Sequence, residues 1–278
     1  MPVRDLLLQM NSYPEPTPRW ALQAAASLAA RYDARLSGAV CHVHIPEISN
    51  RLADKLVHAG EAIAAANAAS HRNARALFAE FASVAGAERR GEEILIECQS
   101  MVSPRDLAVR ARAYDLTILP KYGHPETAFV AEGLIFDSGR PVLLLPPWPV
   151  AEQRFHSIVI GWDGSRAAAR AMADALPLCE SARTVELAAV TGDKELGSGP
   201  ALSDARRHLA GHGIEASVTE IPAGKLDAGM ALLRHCAAVS ADLLVMGGYG
   251  HSRFREFVLG GATRSVLDGA ELPVLLSH

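Results

Sequence analysis

The sequence predicts an α/β protein built from two tandem doubly wound domains, each a five-stranded, mainly parallel sheet with helices on both faces. Three observations lead there. The 278 residues are about twice the ~100–150 of a common domain. The chain repeats itself, and both copies alternate short apolar runs with segments of helical period. In the repeat, Asp115-Leu116-Thr117-Ile118-Leu119 and Tyr122-Gly123-His124 recur at one constant spacing as Asp242-Leu243-Leu244-Val245-Met246 and Tyr249-Gly250-His251. Further on, Arg140-Pro141-Val142-Leu143-Leu144 matches Leu272-Pro273-Val274-Leu275-Leu276 at a spacing five residues wider. The second copy therefore carries an insertion between these landmarks.

Each element follows from the same pattern. In the first copy Val3–Met10 reads as a strand, Pro18–Tyr32 as a helix and Leu36–Ile45 as the second strand. An alanine-rich helical stretch runs from about Ile48 to Ala85, followed by the strand Glu93–Glu97 and a helix around Arg105–Ala113. Leu116–Leu119 and Val142–Leu145 complete the copy. Successive prolines in Pro146-Pro147-Trp148-Pro149 remove amide donors and stop the strand, so the domains are expected to be 1–148 and 149–278. In the second copy Ser157–Gly161 is a short apolar run of the kind that forms a buried parallel strand. Ala168, Met172, Ala175, Leu176 and Cys179 then recur at helical spacing. Thr184–Val190 and Glu215–Ile221 are strands, separated by the loop Gly192–Gly199 with Pro200. Leu226, Met230, Leu233 and Ala237 mark the next helix; Leu243–Met246 is a strand, a last helix opens near Gly261, and Pro273–Leu276 closes the copy. Strands alternating with helices require parallel pairing and right-handed crossovers. The terminal strands Val142–Leu145 and Val274–Leu276 are candidates for edge pairing.

Composition narrows the function. A net charge of −4 and a pI near 6.3 give no bulk attraction to nucleic acid or to an anionic membrane. No apolar run approaches the roughly 18–20 residues of a spanning helix, and Leu6-Leu7-Leu8 followed by Gln9 is too short for a signal peptide. A cytoplasmic location is expected. Cys41, Cys98, Cys179 and Cys236 are far apart, against a disulfide scaffold or zinc ribbon. His42 and His44 project to one side of a strand, as two metal ligands would, but no third ligand is evident. Gly224-Lys225 is followed by Leu226, which excludes a Walker loop, and no G-x-S-x-G elbow exists. Gly248-x-Gly250 is followed by Arg253 instead of a third glycine, against the dinucleotide fingerprint.

The loop after the fourth strand of the second copy, Gly247-Gly248-Tyr249-Gly250 through Leu259-Gly260-Gly261, is where an open parallel sheet binds ligands. Its glycines allow backbone amides to approach an anion, and Gly260-Gly261 opens a helix whose N–H groups favour one. His251, Arg253, Arg255 and Arg264 add positive or hydrogen-bonding groups, although residues such as Arg253 and Arg255 are more often solvated surface charges than phosphate ligands. Asp163 and Ser165, after the first strand, read equally as helix caps.

The pattern Gly247-x2-Gly250-x9-Gly260, within Met246 to Gly261, resembles the nucleotide-binding signature of the universal stress protein family. The resemblance covers the whole chain as a tandem member. It implies strand order 3-2-1-4-5, pairing of the two domains through their last strands, and binding of ATP or a related adenine nucleotide, with Mg as a possible companion. It implies further that Asp163 meets the adenosine end and that Val190, ending the second strand, lines the adenine pocket. Gly261 stands where the family usually has Ser or Thr; Thr263 is the candidate substitute. The first copy has Pro120-Lys121 in place of Gly247-Gly248, Asn11 in place of Asp163 and the shorter loop, so it is expected to bind no ATP by this mode. The expected function is a nucleotide-responsive stress regulator, with a homodimer as a candidate assembly and no committed catalytic residue. The alternatives are a slow adenine-nucleotide hydrolase and a nucleotide-free module for small molecules or proteins.

Overall fold

The computed structural model describes residues 3–46, 59–147, 155–192, 201–248 and 261–278. Two compact units divide the chain, Arg4–Ser138 and Gly139–His278. The first contains β1 (Asp5–Asn11), α1 (Arg19–Arg31), β2 (Arg35–His44), α2 (Ala59–Ala85), β3 (Arg90–Gln99), α3 (Pro104–Ala111), β4 (Leu116–Pro120) and α4 (Thr127–Asp137). The second contains β5 (Val142–Leu145), β6 (Ser157–Gly161), α5 (Arg166–Cys179), β7 (Thr184–Thr191), α6 (Leu202–Gly211), β8 (Ala216–Pro222), α7 (Ala228–Ala238), β9 (Leu243–Gly247), α8 (Gly261–Gly269) and β10 (Val274–Ser277).

In the first unit the strands run β3-β2-β1-β4, all parallel. The second unit shows the order 3-2-1-4-5 in full as β8-β7-β6-β9-β10, again parallel. β5 belongs to this second unit because it pairs with β10, antiparallel, placing Leu144 opposite Val274 and Val142 opposite Leu276. The last strands of the two copies thus pair with each other. The division between the two units falls after Ser138.

The strands are apolar because both sheet faces are covered. Leu6, Leu7 and Leu8 of β1 and Leu243, Leu244 and Val245 of β9 are all fully buried. Fully buried Phe81 of α2 lies over Gly38 of β2, where an added Cβ would come within 3.2 Å of its ring. Truncating that ring to alanine would cost about 3–5 kcal/mol. The repeated aspartate explains why its position is shared by both copies. Asp115 Oδ2 accepts from the backbone N–H of Arg4 (2.8 Å) and Asp5 (3.0 Å). Asp242 accepts from the N–H of His156 (2.7 Å) and Ser157 (3.0 Å). In each copy this carboxylate ties the start of the fourth strand to the start of the first.

The predicted strands all form, with ends displaced by a few residues. Helix α2 is seen from Ala59; the earlier part of the stretch expected from Ile48 includes residues 47–58, which lie outside the described residues, as do 193–200 and Trp148-Pro149. Two helices lack a clear signal in the sequence. α4 is apolar around most of its circumference, with Phe129 and Phe136 exposed beside buried Val130 and Leu134, so no stripe emerges. α6 buries only Ala205 and Leu209. Among the described residues no helix is long and apolar enough to cross a membrane.

Candidate functional site

In the second unit the chain builds outward from β6 through β7 to β8, then returns to place β9 on the other flank of β6. The carboxyl ends of β6 and β9 thus flank the point where the winding reverses, the usual ligand crevice of such sheets. After β6, the Trp162 N–H donates to the Ala188 carbonyl (2.8 Å) and extends the ladder by one residue. Asp163 follows. Its Oδ1 accepts from the Ser165 N–H (2.9 Å) across Gly164, whose φ of +73° suits glycine. Ser165 caps α5, its hydroxyl accepting from the Ala168 N–H (3.1 Å). Of the two residues open to a capping role, Ser165 is the one that caps the helix, while Asp163 shapes the turn. Gly161 pairs with Ala188, so Asp163 and Val190 each follow that last pair by two residues, near the carboxyl ends of neighbouring strands.

At the end of β9, Gly247 is required by packing: a Cβ there would lie 2.5 Å from the Ala167 carbonyl carbon and the Ala168 nitrogen in the first turn of α5. The Gly248 N–H donates to the Ser277 carbonyl (2.7 Å), and the Gly248 carbonyl meets His278 Nδ1 (2.9 Å). These glycines therefore serve the sheet and its close contact with α5. Gly250, His251, Arg253, Arg255 and Gly260 lie outside the described residues. Gly261 opens α8, and among the described residues no atom lies within 4 Å of where its Cβ would stand. Thr263 is only 2 % exposed. Arg264 pairs with Asp268 at 3.8 Å, both side chains 67 % exposed. Packing fixes α8 tightly against α7: a Cβ on Gly229 would come within 2.2 Å of the Ala262 carbonyl oxygen. Asp227, the cap of α7, accepts from the Met230 N–H (3.0 Å) and from the Ser265 hydroxyl of α8 (2.8 Å).

The matching corner of the first unit is filled by the protein's own side chains. Asn11 is 4 % exposed and donates through Nδ2 to the Tyr122 hydroxyl (3.2 Å). Its Oδ1 takes Gln9 Nε2, and its N–H donates to Thr17 Oγ1 (2.8 Å). The Tyr122 hydroxyl donates in turn to the Glu15 carbonyl (3.1 Å), and burial pushes the Tyr122 phenol above its ordinary pKa. His124 Nε2 meets the Tyr13 carbonyl (3.0 Å), and Ser12 is held by Ser70 (2.8 Å) and the Cys41 carbonyl (2.9 Å). Residues 12–17 are thereby tied down over the carboxyl ends of β1 and β4. Tyr122 was visible in the sequence only as part of the repeat; its role depends on a loop whose path no local pattern discloses.

His42 of β2 pairs through Nδ1 with Glu97 Oε2 (2.7 Å), its ring edge-on to His71 with centroids 5.9 Å apart. His44 is exposed. Among the described residues no group of three or more His, Cys, Asp or Glu is arranged to hold a metal. All four cysteines are buried free thiols, and desolvation pushes Cys179 and Cys236 up to about 12.

Comparison with known proteins supports the reading of the second copy. The model of the universal stress protein family matches residues 154–278. A universal stress protein from Archaeoglobus fulgidus DSM 4304 is 17 % identical and covers 98 % of this chain and 95 % of its own at a TM-score of 0.69. A protein of Pseudomonas aeruginosa UCBPP-PA14 assigned to the same family is 16 % identical, covering 99 % of this chain and 93 % of its own at a TM-score of 0.53. A universal stress protein solved in complex with cAMP is 21 % identical and covers 45 % of this chain and 99 % of its own at a TM-score of 0.35. No curated protein matches the sequence. The carboxyl-end crevice, the strand order and the match over residues 154–278 make the second copy similar to the universal stress protein family, and the solved structures show the same fold over the whole chain.

Proposed function

We propose that the chain binds ATP or a related adenine nucleotide in its second copy and acts as a nucleotide-responsive stress regulator. One observation carries the reading: Asp163 after β6 and the Gly247–Gly248 exit of β9 sit on opposite sides of the strand-order reversal. In this reading the Asp163 carboxylate accepts from the ribose hydroxyls and Val190 packs against the base. The amides of the loop from Gly247 to Gly261 and the N-terminal N–H groups of α8 hold the phosphates. His251, Arg253, Gly250 and Gly260 join them by sequence. Gly261 supplies an amide without a hydroxyl, and Thr263, being buried, is poorly placed to make up for it. Any Mg²⁺ would arrive on the phosphates, as that ion commonly does.

No residue here is assigned a catalytic role, and binding without turnover is the proposed activity. Mass spectrometry of the denatured, freshly purified protein tests for carried nucleotide, and phosphate release from added ATP tests for turnover. The reading expects an adenine nucleotide in the first experiment and negligible phosphate in the second. Rapid phosphate release would instead make the chain a hydrolase.

A further inference from the structure

The second copy holds another recess, one strand away from the crevice and on the outer flank of α7. It encloses about 460 Å³, within the usual size of small-molecule sites. Its apolar walls come from Ile221 of β8 and from Ala231 and Ala238 of α7. The recess exists because β8, among the described residues, pairs only with β7, while α7 packs inward over β6, where Leu232 closes on Gly161. Ile221 is therefore left half-buried beside the helix flank.

The polar lining is basic: Lys225 on the turn after β8, and Arg234 and His235 on α7. Among the described residues, three carboxylates nearby are engaged or turned away. Glu186 is taken by His235 (Oε1 to Nε2, 2.9 Å). Asp227 is committed to the Met230 N–H and the Ser265 hydroxyl. Glu220, next to Ile221 on β8, projects to the opposite face of the sheet. Other arginines of this unit are paired on their own helices, Arg170 with Asp174 (2.8 Å) and Arg207 with Asp204 (2.7 Å). Lys225 and Arg234 make no ion pair among the described residues.

We propose that this recess binds a small organic anion with an apolar body, such as a medium-chain carboxylate. The chain packs on Ile221, Ala231 and Ala238, and the carboxylate meets Lys225 and Arg234. Burying the apolar body supplies most of the affinity, and the two cations select for charge. Ile221 pairs in register with Val190, so the recess adjoins the proposed base pocket, but none of its lining residues belongs to the proposed nucleotide site.

Amide NMR titrations of the full chain with octanoate, 1-octanol and inorganic phosphate test the proposal. Octanoate is expected to shift the signals of Ile221, Ala231 and Ala238 saturably. Octanol, which lacks the charge, and phosphate, which lacks the apolar body, should each bind at least about tenfold more weakly. The double variant Lys225→Glu with Arg234→Glu should weaken octanoate by roughly tenfold while leaving the melting temperature unchanged, since both side chains are exposed. Ala238→Trp, which fills the recess from an exposed position, should abolish octanoate binding. The proposal is overturned if octanoate leaves these signals unmoved, if octanol binds as well as octanoate, or if the charge reversal leaves octanoate affinity intact.

Discussion

The corner between β1 and β4 and the corner between β6 and β9 occupy the same place in two copies of one fold, yet among the described residues only the first is crossed by a network of its own side chains. In the first, Asn11, Thr17 and Tyr122 exchange hydrogen bonds beneath the backbone of residues 12–17. In the second, Gly164 turns the chain at once into α5, and among the described residues nothing lies within 4 Å of a Cβ on Gly261 at the start of α8. The difference teaches that side chains can fill a corner of a parallel sheet while the strands around it stay unaltered. The clamp formed by Asp115 in one copy and Asp242 in the other survives unchanged, because it serves the sheet.

Four substitutions break or sharpen this contrast. Gly250→Val places a side chain where the proposed loop brings amides to the phosphates. It should weaken ATP at least about a hundredfold, or ~2.7 kcal/mol, by calorimetry, while the circular dichroism stays native. Gly247→Ala drives a Cβ to 2.5 Å from the α5 backbone. About 2 kcal/mol of destabilisation is expected from chemical unfolding, whether or not nucleotide is present, because the clash is internal. Asp163→Ala removes the carboxylate from the corner and should weaken ATP by about tenfold, ~1.4 kcal/mol. Since Asp163 also holds the Ser165 N–H, a smaller loss of stability should accompany it, whereas Asp163→Asn should restore the turn more fully than the affinity. Tyr122→Phe deletes the hydroxyl that joins Asn11 to the Glu15 carbonyl. Its expected effect is the smallest, about 1 kcal/mol in stability, with ATP affinity unchanged; altered affinity would show that the first copy takes part in binding.

Much of this was legible in the chain. Apolar runs such as Leu6–Leu8 and Leu243–Val245 announce buried strands because both faces of a doubly wound sheet are covered. The spacing of the two halves exposes the repeat, and the loss of Gly247-Gly248 as Pro120-Lys121 marks the first copy as altered. What the sequence concealed depends on tertiary packing. Gly247 reads as part of an anion cradle, yet a helix backbone passing over it already demands glycine. Thr263 reads as a spare hydroxyl near the phosphates, yet the helix buries it. Asp242 reads as a simple repeat marker, yet it fastens β6 to β9 through two backbone amides of distant sequence. Helix α4 escaped periodicity because its apolar side chains surround it.

Calorimetric titration of the intact chain with ATP is the most direct test, because it counts sites as well as detecting them. The account predicts one site per chain, and none after Gly250→Val. Two sites per chain, or a single site undiminished by that substitution, would contradict the assignment of nucleotide binding to the second copy.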